Sequence, residues 1–276
     1  MTLLVSWMGV DTHGVSSAYI ATDSRLSWGK KYTFDHAVKT FYLRNFPAVV
    51  GYYGDSLSAL MIISQATNII DSMSANSSGM TFDLVVDVFE RIIRNGYVNY
   101  PAGSVEYSGS VGIVVAGRET IESESFKTAT IEIGAPGTPA VKKIIELPLK
   151  SGVIHCGGSG NNKFSSKFEN YNKLGNANTS RNVFHAFVDS IVNDGDPGVG
   201  GPPQVVGVIR KPGTMGMTLG LVFNNLRYIC GQLIERDLLA TGDIAPLWFN
   251  ENFEISHPLT KRRKDGAQVQ PNSLRR

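Results

Sequence analysis

Cysteine is scarce: Cys156 and Cys230 are the only two in 276 residues. Two thiols can build neither a disulfide scaffold nor a multi-cysteine zinc site, so reduced, buried thiols are expected. A charge imbalance is also missing. Lys and Arg number 26 against 24 Asp and Glu, a formal net charge of +2, which gives no electrostatic reason to expect nucleic acid or a membrane surface as partner. The histidines, His13, His36, His155, His185 and His257, never fall into HxH, HxxxH or HExxH spacing, so no metal is expected. There is no GxxxxGK[ST], and the glycines at 157–160 and 198–201 do not fit a GxGxxG turn, so no nucleotide or other cofactor is expected. Ser159 is no GxSxG elbow, because Asn161 stands where the second glycine belongs. No apolar run approaches the roughly 20 residues of a membrane span, and Met1–Val10 carries no basic leader. The expectation is a cytoplasmic protein.

What the chain does have is apolar material, 42% of its residues, enough for a substantial core. Branched and aromatic runs at 2–8 and 16–22 read as a hairpin, and 37–44 with 48–53 as a second strand pair. Leu57, Leu60, Ile63, Ala66 and Ile70 recur at helical spacing over 55–73, with Asp55 or Ser56 as N-cap. A second helix is expected over 82–95. Strand material follows at 111–116, 128–134, 142–147 and 153–156, helices at 161–173 and 181–192, and strands at 204–210, 218–223 and 228–233. This order is not the βαβα alternation of a parallel sheet. It predicts an α+β fold, a four-layer αββα sandwich of two antiparallel sheets between helix layers. One domain over 2–235 would precede a C-terminal extension, 236–276, whose tail with Lys261, Arg262, Arg263 and Lys264 is expected to be flexible.

Thr2 follows the initiator methionine, and a small second residue favours removal of that methionine. An N-terminal threonine supplies both a nucleophilic hydroxyl and a general base, its own α-amine of pKa about 7.7–8.0. A lysine nearby would hold that amine neutral, and a carboxylate would hold the lysine. Asp23 and Lys39, 16 residues apart, are the candidates.

Ala21 to Arg25, with Val38 and Lys39, resembles the ADSR and VK elements of proteasome β-subunits and of the bacterial HslV peptidase, at the family's own Asp-to-Lys separation. Gly51 to Asp55 looks like the GFAGG segment of HslV. Gly158, Ser159 and Gly160 match the family GSG, and Asp196 follows at the family interval. Val199, however, stands where the family has serine, ahead of Gly200 and Gly201. The likeness, in scattered motifs over roughly residues 2–210, implies an N-terminal-nucleophile (Ntn) hydrolase fold and a threonine peptidase. By that likeness Thr2, Asp23, Lys39, Gly54 (as oxyanion donor), Ser159 and Asp196 would be catalytic. Leu26, Ala37, Phe41, Tyr52 and Ser56 would line the substrate pocket. Implied partners are a peptide or unfolded-protein substrate, a homo-oligomeric ring and an ATP-dependent unfoldase. Two other readings share the motifs: an Ntn amidase acting on a small-molecule amide, and a catalytically silent ring subunit, for which Val199 is the hint.

Overall fold

The computed structural model describes residues 2–28, 31–74, 79–97, 110–134, 138–173, 175, 177–192, 196–240 and 247–267. The opening hairpin is β1 (Leu4–Asp11) and β2 (Gly14–Thr22), paired throughout from Leu4↔Thr22 to Asp11↔Gly14. Next come a two-stranded ribbon, β3 (Leu26–Trp28) with β4 (Tyr32–Phe34), and then β5 (Thr40–Tyr42) and β6 (Ala48–Gly54). The ribbon was not expected from sequence. It is too short for a periodic signal, and of the expected strand 37–44 only the central part pairs.

Helices α1 (Ser56–Ser74) and α2 (Phe82–Tyr97) follow. Asp55 caps α1, its carboxylate accepting from the Ser58 N–H at 3.3 Å and the Ser58 hydroxyl at 2.6 Å. Strands β7 (Val111–Arg118), β8 (Phe126–Ile133), β9 (Val141–Ile144) and β10 (Gly152–Gly157) precede α3 (Asn161–Asn172) and α4 (Ser180–Val192). The chain then runs through β11 (Gln204–Ile209), β12 (Met217–Phe223), β13 (Leu226–Ile229), β14 (Gln232–Leu233), a short α5 (Arg236–Ala240) and β15 (Trp248–Asn250). The single strand expected over 228–233 is two, because Cys230 and Gly231 both take positive φ and turn the chain.

The fold is α+β with largely antiparallel sheets. One sheet runs β10-β1-β2-β11-β12-β13-β14, with β15 joined parallel to β12; the other runs β5-β6-β7-β8-β9. Strand alternation distributes the apolar residues to three main cores, beside a small fourth cluster of Val222, Leu239 and Trp248. Val50 and Tyr52 of β6 share a core with α1 and α2, whereas Val49 joins Leu4, Ile20 and Val206 in a core that contains residues of both sheets. Leu3, Val5 and Trp7 pack with Phe184 and Phe187 of α4 in the third. Beyond residue 235 the chain remains part of this architecture. Phe253 packs against Phe249 (centroids 4.5 Å apart) and near Trp7 (6.0 Å). In the basic segment Lys261 Nζ donates to the Asn225 carbonyl at 2.6 Å, while 268–276 lie outside the described residues. No helix among the described residues is long and apolar enough to cross a membrane.

Candidate active site

β1 and β2 bring the start of the chain to Asp23. One step beyond the Leu4↔Thr22 pair, the Asp23 N–H donates to the Leu3 carbonyl at 3.2 Å and the Leu3 N–H donates to Asp23 Oδ1 at 2.9 Å. The sheet register thus fixes Thr2 beside Asp23. Lys39 enters from the irregular segment leading into β5, and the Tyr52 N–H of β6 donates to its carbonyl at 3.2 Å. Its ammonium is fully buried and finds three acceptors: Asp23 Oδ1 at 3.0 Å, the Arg25 carbonyl at 2.6 Å and Thr2 Oγ1 at 3.1 Å. An ammonium has three protons, so each is used.

Asp23 is equally saturated. Oδ1 accepts from Lys39 Nζ and the Leu3 N–H; Oδ2 accepts from the Arg25 N–H at 3.1 Å and the Gly200 N–H at 3.2 Å. A buried ion pair recovers its desolvation cost only with such supplementary hydrogen bonds. Burial holds the Lys39 ammonium below the ordinary lysine value, and the Asp23 carboxylate opposes that shift. The result is a cation held directly against a threonine hydroxyl.

Gly158 in the 157–160 turn is pressed against Thr2. A Cβ on Gly158, whose φ is +92°, would lie 2.0 Å from the Thr2 carbonyl oxygen, and the Gly160 N–H donates to that oxygen at 3.3 Å. Ser159 itself is exposed, and the N-cap of α3 is Gly160. Gly54 ends β6 opposite Val111 with φ +98°, and a Cβ there would meet the Ser110 carbonyl at 1.8 Å. Asp196 organises its own turn, accepting from the Gly198 N–H at 2.8 Å through its side chain and from the Val199 N–H at 3.1 Å through its carbonyl. The structure therefore brings Thr2, Asp23 and Lys39 into one hydrogen-bonded cluster. Gly54, Ser159 and Asp196 take no part in the bonds that define it.

Of the expected pocket residues, Tyr52 is fully buried and its hydroxyl donates to the Val38 carbonyl at 3.2 Å; burial pushes its pKa up to about 12. Phe41 packs against the same α1–α2 core. These two rings fill space on that side. Ala37 is buried, while Leu26 on β3 and Ser56 at the start of α1 are half-buried.

Two supporting residues carried no assigned role in the sequence reading. The Gln204 amide oxygen accepts from the Lys39 N–H at 3.0 Å, which fixes the amide's orientation, and Nε2 donates to the Ala37 carbonyl at 2.7 Å and Ser24 Oγ at 2.9 Å. It ties the segment after Asp23 to the segment carrying Lys39. Arg25 forms a two-pronged pair with Asp35 (2.7 and 2.8 Å) and reaches the Pro197 carbonyl at 3.4 Å, steadying the turn that supplies the Gly200 N–H. The only signal for Gln204 is that it is the one polar residue of the run Gln204–Ile209.

The chain matches no protein-family model and no curated protein.

Proposed function

We propose that this chain is an Ntn hydrolase of the proteasome and HslV type, cleaving peptide bonds through an acyl-enzyme on Thr2. The observation that carries the reading is the 3.1 Å contact between Lys39 Nζ and Thr2 Oγ1, with Lys39 held by Asp23 at 3.0 Å. The two sheets and the three main cores are read as the four-layer αββα sandwich of that fold. The distribution of Val49 and Val50 to different cores supports this, as does the packing of α1–α2 and α3–α4 on different sheets.

The chemistry follows from the parts. Removal of Met1 frees the Thr2 α-amine. The Lys39 charge keeps that amine unprotonated, so it accepts the hydroxyl proton as Oγ1 attacks the scissile carbonyl. Lys39 Nζ, already on Oγ1, stabilises the negative charge that develops there. The Gly54 N–H is assigned to the tetrahedral oxyanion, a contribution commonly of about 2.7–4 kcal/mol per donor. The amine then protonates the leaving nitrogen, and water releases the acyl group. Ser159 and Asp196 would assist proton transfer, with Val199 leaving that network one hydroxyl short. A homo-oligomeric ring, an unfoldase partner and a cytoplasmic location belong to the same proposal.

One observation favours a second reading. Val199 stands where the likeness calls for a serine, as suits a silent ring subunit. Intact-mass measurement separates the two, because a retained Met1 blocks the amine and sinks the peptidase. With Met1 absent, a peptide library should be cleaved and small-molecule amides spared; turnover of small amides alone would leave the amidase instead.

A further inference from the structure

Tyr53 points to the strand face opposite Tyr52, and it packs against the core containing both sheets. Its ring lies in a slot that two glycines leave open. A Cβ on Gly112 would come within 2.0 Å of the ring and one on Gly157 within 2.3 Å. The slot fixes the hydroxyl, which donates to Glu132 Oε1 at 2.8 Å and sits 3.3 Å from His155 Nε2. The Tyr53 and His155 rings stack with centroids 5.7 Å apart. Since the phenol proton is committed to Glu132, the imidazole must donate its Nε2–H. The relay runs from His155 through Tyr53 and ends on an exposed carboxylate.

These three side chains line a cleft of about 280 Å³ together with Ser110, Cys156 and Gly158. Two of its lining residues abut the residues assigned to the reaction. Ser110 is the residue against which Gly54 is pressed, and Gly158 is pressed on Thr2. Burial holds the His155 imidazole below its ordinary value, so it adds no charge at neutral pH. His155 feels Glu132 and Lys143 of β9, yet among the described residues Glu132 is in no ion pair. The cleft therefore presents a carboxylate outside any close ion pair among the described residues, braced by a phenol, with Gly158 between the cleft and Thr2.

We propose that this cleft binds a cationic side chain, lysine or arginine, of the substrate, with Glu132 as its counter-charge and Tyr53 as the residue that orients Glu132. The inference rests on the hydrolase reading for what is cleaved, but the binding does not require turnover. Calorimetric titration with acetylated tetrapeptide amides, matched except for arginine or norleucine at one position scanned along the peptide, tests it. The intact protein should bind one arginine peptide about tenfold more tightly than its norleucine partner, and Glu132→Gln should erase that difference. Tyr53→Phe, which keeps the ring in its slot, should reduce it, and both variants should melt as the parent does. Equal affinities in the parent, no binding of either series, or a preference untouched by Glu132→Gln would overturn the proposal. An arginine preference without any peptide hydrolysis would leave it standing and sink the peptidase instead.

Discussion

Two polar clusters lie on either side of Gly158, and they are built on opposite principles. Around Lys39 every proton and both carboxylate oxygens of Asp23 are used, and neither side chain has any exposure. Around Tyr53 the relay ends on the exposed carboxylate of Glu132, and the cleft stays open. A saturated buried cluster holds geometry and tolerates no loss; an unsaturated exposed one holds little of the fold and is free to take a ligand. The first suits a nucleophile that must be held in place, the second a recognition site.

The largest effect that follows is on turnover. Thr2→Ala should reduce peptide hydrolysis to background and cost about 1–3 kcal/mol of stability, because it leaves one buried Lys39 proton without an acceptor while the Lys39–Asp23 pair stays intact. Residual cleavage in that variant would move the nucleophile elsewhere. Next in size is Asp23→Asn, which leaves a buried ammonium without its counter-charge. It should cost roughly 3–5 kcal/mol of stability as well as activity, measured by urea denaturation. Lys39→Met should cost less stability, since Asp23 retains N–H donors from Leu3, Arg25 and Gly200, yet should abolish turnover just as fully. If both variants were as stable as the parent, the contrast between the clusters would be lost.

Gln204→Leu probes the support of the first cluster rather than its chemistry. It strands the Lys39 N–H and the Ala37 carbonyl in the interior, each worth about 1–3 kcal/mol when left unsatisfied. The expected outcome is a less stable protein whose kcat falls more than its KM rises, as displacement of Lys39 from Thr2 would produce. A stability loss with unchanged kinetics would make Gln204 purely structural.

Gln204 also marks where sequence reading stops. Asp23 and Lys39 were picked out by their likeness to short family motifs and Thr2 by its place after the initiator methionine, so none of the three came from local periodicity. Gln204 is a single polar residue in an apolar strand, and nothing local announces that its amide spans two segments 165 and 180 residues away. The Tyr53 cleft was missed for a related reason: Gly112, Glu132, His155 and Gly157 come from three strands in two sheets, so no spacing connects them. The helices and the opening hairpin were legible because their periodicity is local. The ribbon β3–β4 and the place of Phe249 and Phe253 in the third core were not, being decided by partners distant in the chain.

The smallest effect concerns Cys156, which lines the cleft but takes no part in the relay. Burial pushes its thiol from an ordinary 9 up to about 12. Between those values the folded chain keeps a proton that the unfolded chain has released, so the cysteine's contribution to stability is present below about pH 9 and declines as pH rises towards 12. Lys39 acts with the opposite sign, since its lowered folded value means that the unfolded chain binds the extra proton and stability rises with pH. That term is common to parent and variant and cancels between them. Tyr52, raised to about 12 from 10, joins the decline only in the upper part of the window. Urea denaturation at about pH 8 and about pH 10 should therefore show the parent losing more stability than Cys156→Ala over the same interval. Identical losses would mean that the thiol is open to water in solution, and that the cleft extends further towards β10 than its lining residues indicate.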